Sequence, residues 1–256
     1  MAARVLLVRH GKTPYHELTN HGFNFNSYAH DLRLSPDFLD LTTEGIEECS
    51  AAAMQLISIL DPERPVWLGT SPQWRAQSSL LVIEDALRRT TRELPQSPRT
   101  GNVFLPLRNI ALRPDFDPTQ WMSAHGQWKA NPENANRLRH HPHLVHQYVI
   151  EEILRPNSIT VNSITDVFAE THQDVDRRVR NLLKYLLSED RQWVITCHEE
   201  SVGILLETLG VQTGFQNGQI LEFTSTGADL TIRLHARPNG PTSEGTTVEA
   251  PFGILG

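Results

Sequence analysis

The chain has 256 residues, 39% of them hydrophobic, and a formal net charge of −7. That is enough apolar material for one large domain, or for one domain carrying an insertion. The acidic balance argues against general nucleic-acid binding, yet it leaves room for a phosphorylated ligand, because a small pocket sets its own field. No apolar stretch approaches a membrane span, and no basic segment followed by a long apolar one marks a signal peptide. Neither a membrane nor a nucleic acid is therefore expected as a partner. Cys49 and Cys197 fall in segments that read as a helix and a buried strand, so reduced thiols and a cytoplasmic location are expected.

Arg4–Val8 reads as a fully buried first strand, given its continuous Val/Leu run. It ends abruptly in Arg9-His10-Gly11-Lys12-Thr13, which puts a cation and a nucleophilic imidazole at a strand's C-terminal edge. Open α/β sheets place their ligands there, and Gly11 is expected to let the backbone approach a ligand closely. Residues 14–40, rich in Asn, His and Asp, form a connection too long for a plain turn and suited to a lid or binding loop. Thr42 is the expected N-cap of the next helix, with Glu44 complementing its dipole. Ile46, Cys49, Ala53, Leu56, Ile57 and Leu60 fall on one face of that helix, and Pro62 and Pro65 end it. Val66–Gly69 reads as the second strand. Ser71-Pro72 opens a turn into a helix with a stripe of Ala76, Leu80, Ile83 and Leu87.

From about Glu93 to Thr165 prolines recur and periodicity is poor. Residues 93–165 are expected to form an inserted cap, with a short helix at Leu144–Leu154. Order returns in a helical stripe of Val175, Val179, Leu182, Leu183 and Leu186. Trp193–Cys197 then reads as a strand, Ser201–Leu209 as a helix, and Gln219–Thr224 with Asp229–His235 as a hairpin. The tail, 238–256, is rich in Pro, Gly, Thr and Ser and is expected to be loosely held outside an α/β domain of residues 1–237.

Five segments together resemble the histidine phosphatase superfamily, also called phosphoglycerate mutase-like. Leu7-Val8-Arg9-His10-Gly11-Lys12-Thr13 is similar to its N-terminal signature, and Leu41-Thr42-Thr43-Glu44-Gly45 to its LTxxG helix start. Ser71-Pro72-Gln73-Trp74-Arg75-Ala76 resembles its SPxxRA turn. Val194–His198 resembles the strand that delivers a second histidine, and Asn217–Phe223 the last core strand. The resemblance implies a three-layer α/β sandwich with a mostly parallel central sheet, helices on both faces and an inserted cap. It also implies a metal-independent phosphatase that hydrolyses a small phosphorylated metabolite through a phosphohistidine at His10, with no cofactor. A phosphomutase, or a phospholigand-binding module without turnover, remains an alternative.

Such chemistry needs a nucleophile, cations for the phosphate oxygens and a proton donor for the leaving group. A neutral imidazole such as His10 attacks through one nitrogen while the other is held by a hydrogen bond. Arg9 and Arg75 are the expected clamp, since a guanidinium matches phosphate oxygens and never loses its charge. His198 is expected to add a further donor, and Thr13 and His16 to bind substrate at the rim. The donor is open. In the mutase-like branch a glutamate follows a Leu-Arg pair, whereas Leu107-Arg108 is followed here by Asn109, which cannot give up a proton. Asp115 and Asp117 are candidates. So are Glu199 and Glu200, because His198-Glu199-Glu200 resembles the acid phosphatase pattern of a carboxylate just after the second histidine. Glu199 is the first choice among them.

His140-His141-Pro142-His143 with His146 is dense in imidazole. Pro142 breaks helical spacing and no cysteine or acidic ligand pattern accompanies it, so no metal site is expected. Trp121 and Trp128 read as cap core more than as a stacking platform. Neither the substrate nor the oligomeric state is legible at this level.

Overall fold

The computed structural model describes residues 3–14, 40–90, 102–103, 107, 113, 116–134, 137, 144–157, 161, 163, 166–211, 214–237 and 246–255. His16, Asn109, Asp115, His140, His141 and His143 lie outside the described residues. In chain order the elements are β1 (Ala3–Arg9), α1 (Thr43–Ile59), β2 (Val66–Thr70), α2 (Trp74–Thr90) and β3 (Asn102–Val103). Next come α3 (Pro118–Ala130), α4 (Val145–Val149, continued by a π-helical turn at Ile150–Leu154), α5 (His172–Ser188) and β4 (Gln192–Cys197). Then follow α6 (Glu199–Thr208), β5 (Ile220–Ser225), β6 (Asp229–Leu234), β7 (Thr246–Pro251) and a 3₁₀ turn at Phe252–Leu255.

The described strands form one sheet in the order β3-β2-β4-β1-β5-β6-β7. The sheet is mixed rather than mostly parallel. Strands β3, β2, β4 and β1 pair in parallel, whereas β5, β6 and β7 pair antiparallel. The change has a local cause: β5 and β6 are joined by Thr226–Ala228, with Gly227 at φ +91°, and so short a link joins only antiparallel strands.

Side chains alternate across β1, so Leu6 and Val8 pack with the apolar residues of α1 and α2. Val5 and Leu7 pack on the other face, in a cluster that contains the apolar residues of α5 and α6. Helices thus cover both faces. The stripes of α2 and α5 are buried as expected. Most of the α1 stripe is buried too, at Cys49, Ala53, Leu56 and Leu60, but its N-terminal end differs, with Gly45 buried and Ile46 46% exposed. The cause is Gly45 itself: a Cβ there would lie 2.1 Å from the Lys12 carbonyl oxygen, so this face is pressed against the loop after β1.

Within 93–165, Asn102–Val103 pairs with β2 as the sheet's edge. Leu107, Trp121, Trp128, Val145, Val149, Ile150 and Leu154 share one apolar cluster with α5 and α6. Trp121 and Trp128 are therefore core residues. The expected loose tail differs most. Thr246–Pro251 pairs with β6 along its length, and Leu255 is buried. Its exposed outer edge requires few apolar residues, which is why its composition reads as loop.

Candidate active site

Strands β1 and β4 are adjacent and parallel, with Arg9 opposite Cys197. The residue after each strand, His10 and His198, therefore emerges at the same edge of the sheet, and the two ring centroids are 5.0 Å apart. The parallel pairing of β2 with β4 sets Thr70 opposite Thr196, which delivers Ser71 to that edge too. The Thr196 hydroxyl donates to the Ala76 carbonyl oxygen at 2.7 Å and lies 2.9 Å from the Thr70 hydroxyl. The start of α2, and Arg75 with it, is thereby lashed to β4.

His10 is 4% exposed and its tautomer follows from its neighbours. The Gly11 carbonyl oxygen, 2.8 Å from Nδ1, has only lone pairs, so Nδ1 carries the hydrogen. Arg75 Nε, which can only donate, is 3.1 Å from Nε2, so Nε2 carries the lone pair. The loop is held by further bonds. The His10 N–H donates to the Cys197 carbonyl oxygen at 3.0 Å, the Gly11 N–H to Ser79 Oγ at 3.1 Å, and Asn217 Nδ2 to the His10 carbonyl oxygen at 2.8 Å. Gly11 is required for a reason other than ligand approach. A Cβ there would lie 2.3 Å from the Gly45 carbonyl oxygen, so the glycine serves the crossing of this loop over α1.

His198 is 1% exposed, and its Nε2 is 2.7 Å from Ser71 Oγ. Its Nδ1 is buried with no hydrogen-bond partner among the described residues. Burial, and then the positive charges of Arg75, Arg9 and Arg178, push this imidazole well below the usual histidine range. It is therefore neutral at pH 7. Arg9 Nη1 donates to the Phe215 carbonyl oxygen at 2.6 Å and pairs with Glu199 Oε2 at 2.8 Å, while its buried Nε has no partner among the described residues. His10, Arg9, Arg75, His198 and Glu199 thus converge. Thr13 is buried close to His10 in sequence. Asp117 is exposed, at the start of α3.

Glu200, the next residue of α6, turns to a different neighbour. Its Oε1 is in direct contact with His146 Nε2 from α4. Burial raises the pKa of this carboxyl, but His146, Arg75 and His172 outweigh burial and hold it below the usual carboxylate range. Lys129 of α3 faces Glu199, Arg9 and Glu200. Burial lowers its ammonium below the ordinary lysine range, an effect that Glu199 and Glu200 oppose and Arg9 reinforces. Ser71, Ser79, Asn217, Lys129 and His146 were not assigned to the site on sequence grounds. Ser71 and Asn217 stand inside recognised motifs, whereas Lys129 and His146 come from the segment without periodicity. Among the described residues no group of three or more His, Cys, Asp or Glu is arranged to hold a metal ion, and no helix is long and apolar enough to cross a membrane.

Neither a protein-family model nor a curated protein matches the chain. Solved structures do match it. A mycobacterial glucosyl-3-phosphoglycerate phosphatase, solved with VO3, is 16% identical over 93% of this chain and 100% of its own, with a TM-score of 0.51. A protein described as mycobacterial hydrolase 2 is 17% identical over 95% of this chain and 93% of its own, also with a TM-score of 0.51. The likeness is one of fold.

Proposed function

We propose, from the fold that this chain shares with those structures and from the motifs that resemble the histidine phosphatase superfamily, that it is a metal-independent phosphatase of that superfamily. It hydrolyses a small phosphomonoester through a phosphohistidine at His10. The observation that carries this reading is the state of His10, a buried neutral imidazole whose Nε2 lone pair meets Arg75 Nε at 3.1 Å. A phosphate group arriving there meets its nucleophile and a cation together. Arg75 and Arg9 grip the equatorial oxygens as the P–O bond weakens and the P–Nε2 bond forms, and such preorganised charge supplies most of the stabilisation in phosphoryl transfer.

His198 Nε2 shares a hydrogen bond with Ser71 Oγ; in the tautomer in which the hydroxyl donates, the ring hydrogen stands on Nδ1, the atom without a partner among the described residues. That N–H is then free to donate to a phosphate oxygen. A neutral His198 adds this donor without a third charge. A carboxylate at the start of α6, Glu199 or Glu200, protonates the leaving oxygen in the first step and deprotonates water in the second. Thr13 and His16 bind the substrate in this reading. The two buried free thiols, Cys49 and Cys197, support a cytoplasmic setting, and the substrate is a phosphorylated metabolite rather than a nucleic acid or a membrane.

Hydrolysis of 4-nitrophenyl phosphate in excess EDTA, wild type beside His10→Ala, tests the reading. Activity that survives the chelator and is lost in the variant is the expected result. A folded wild-type protein that binds phosphate without turnover would replace the enzyme by a binding module, and loss of activity in EDTA would remove the metal-free mechanism.

A further inference from the structure

We propose that His146 loads and aims the proton of Glu200, so that the two form the acid–base unit serving the leaving oxygen. This deepens the phosphatase reading and rests on it. Glu199 and Glu200 are neighbours on α6, but their partners differ in kind. Glu199 Oε2 lies 2.8 Å from Arg9 Nη1. A guanidinium never loses its proton, so Arg9 has none to exchange with Glu199. Glu200 Oε1 touches His146 Nε2, and an imidazole is the side chain that gives and takes a proton near neutral pH.

The surroundings hold His146 in that role. The ring is 6% exposed and is packed by Phe168, Trp121 and His172 at centroid distances of 4.5, 5.4 and 5.9 Å. Its Nδ1 has no hydrogen-bond partner among the described residues, so its polar contact there is with Glu200. The titratable and charged groups facing the pair come from several elements. Helix α5 contributes His172, and α3 contributes His125 and Lys129, which faces both carboxylates. Helix α2 contributes Arg75 toward Glu200. Burial and the charge of His146 keep His172 neutral, with a pKa of about 4. Burial, with Lys129 and His146, does the same to His125. Neither therefore carries a second ring proton at pH 7.

In the empty pocket His146, Arg75 and His172 keep Glu200 ionised; the proton it is given comes across its contact with His146 Nε2. A phosphate dianion at His10 draws off the field of Arg75 and adds two negative charges, which raises the affinity of Glu200 for a proton. The proton then passes from His146 Nε2 to the Glu200 carboxylate. As the P–Nε2 bond of His10 forms and the ester P–O bond breaks, Glu200 gives this proton to the leaving oxygen, which departs as an alcohol. Glu200, now ionised, takes one proton from the water whose oxygen attacks phosphorus while the P–Nε2 bond breaks. Release of phosphate returns that proton to His146.

The test is a leaving-group series of aryl phosphates of matched shape, from 4-nitrophenyl to phenyl to 4-methoxyphenyl, for wild type, His146→Gln and Glu200→Gln as full chains. A working donor makes the rate nearly independent of the leaving phenol. His146→Gln is expected to lower the phenyl to 4-nitrophenyl rate ratio at least about tenfold and to remove one limb of the kcat–pH profile. Glu200→Gln should lower the ratio at least as far, and the double variant no further. An equal loss on all esters would make His146 merely structural and overturn the proposal, as would a ratio that falls only in Glu199→Gln. A wild type that hydrolyses the 4-nitrophenyl ester with a steep leaving-group dependence would overturn it while sparing the His10 nucleophile. A wild type inactive on the whole series would overturn both. Should His146→Gln fail to fold, the ¹⁵N resonances of the wild-type His146 ring decide. They should move from imidazolium toward neutral imidazole when inorganic vanadate fills the pocket, and resonances that stay fixed would overturn the proposal.

Discussion

Substituting Gly11 by alanine tests whether this residue serves the ligand or the fold. The new Cβ would stand 2.3 Å from the Gly45 carbonyl oxygen and 2.9 Å from Cys49 Sγ, where 3.4 Å or more is ordinary contact. The loop and α1 must therefore part by about 1 Å, a shift in the range where side-chain placement governs rate. They are not free to do so. The Thr42 N–H donates to the Lys12 carbonyl oxygen at 3.0 Å, the Lys12 N–H to Glu48 Oε2 at 2.7 Å, and the Gly11 N–H to Ser79 Oγ at 3.1 Å. Overpacking of this kind costs about 1–3 kcal/mol. At roughly 2–4 °C per kcal/mol for a chain of this size, the melting temperature should fall by about 2–12 °C.

The Gly11 carbonyl oxygen also accepts the hydrogen of His10 Nδ1, so the displacement reaches the nucleophile, and kcat should fall by roughly 10²-fold. Circular dichroism melts at one scan rate and 4-nitrophenyl phosphate turnover measure both effects. Gly253→Ala, whose Cβ meets nothing within 4 Å, is the control for an alanine that costs little. Gly45→Ala puts its Cβ 2.1 Å from the Lys12 carbonyl oxygen, on the other side of the same crossing. The double variant should therefore cost less than the two single losses added together. A Gly11→Ala protein that melts within about 1 °C of wild type and turns over normally would refute the crossing as the reason for this glycine.

Ser71→Ala strands a second nitrogen of a ring that is 1% exposed; it should cost about 1–3 kcal/mol and lower kcat about tenfold, and an unchanged melt with unchanged kcat would remove Ser71 from the site. Glu222 stands on β5 opposite Leu6. Burial works against its charge, but hydrogen bonds from His235 at 2.7 Å and Arg4 at 2.5 Å, with their charges, bring its pKa down to about 2. A depressed carboxyl contributes stability that is fully present above its unfolded pKa and is lost as the pH falls through the folded one. Glu222→Gln should thus be about 3 kcal/mol less stable than wild type at pH 7, with the gap closing between about pH 4.5 and pH 2; denaturant midpoints measured across that range check it, and a gap independent of pH would refute it.

How far the chain could be read before folding depended on what selects each residue. His10 and His198 are selected by backbone direction. Each follows an apolar run, and a run that ends in a polar residue marks a sheet edge whatever lies around it. Their proximity still required the register that sets Arg9 opposite Cys197, which no local pattern contains. Gly11 was legible as a close approach but not as an approach to Gly45, because a missing side chain reports that space is short and not what occupies it. Strand β7 was unreadable for the opposite reason. As an exposed edge it buries little: only Val248 and Ala250 are half-buried between exposed Thr, Glu and Pro residues, too short an alternation to mark a strand. The proton donor was the least legible of all. Glu199 and Glu200 are the same residue type at consecutive positions, and nothing local separates them. They are told apart by their tertiary partners, Arg9 for one and His146 for the other. His146 falls in the short helix expected at Leu144–Leu154, but the poor periodicity of the segment around it gives no sign that this helix meets the start of α6. The chemical role of a carboxylate therefore follows from whether its neighbour can exchange a proton, a property of the folded pair that neither residue carries alone.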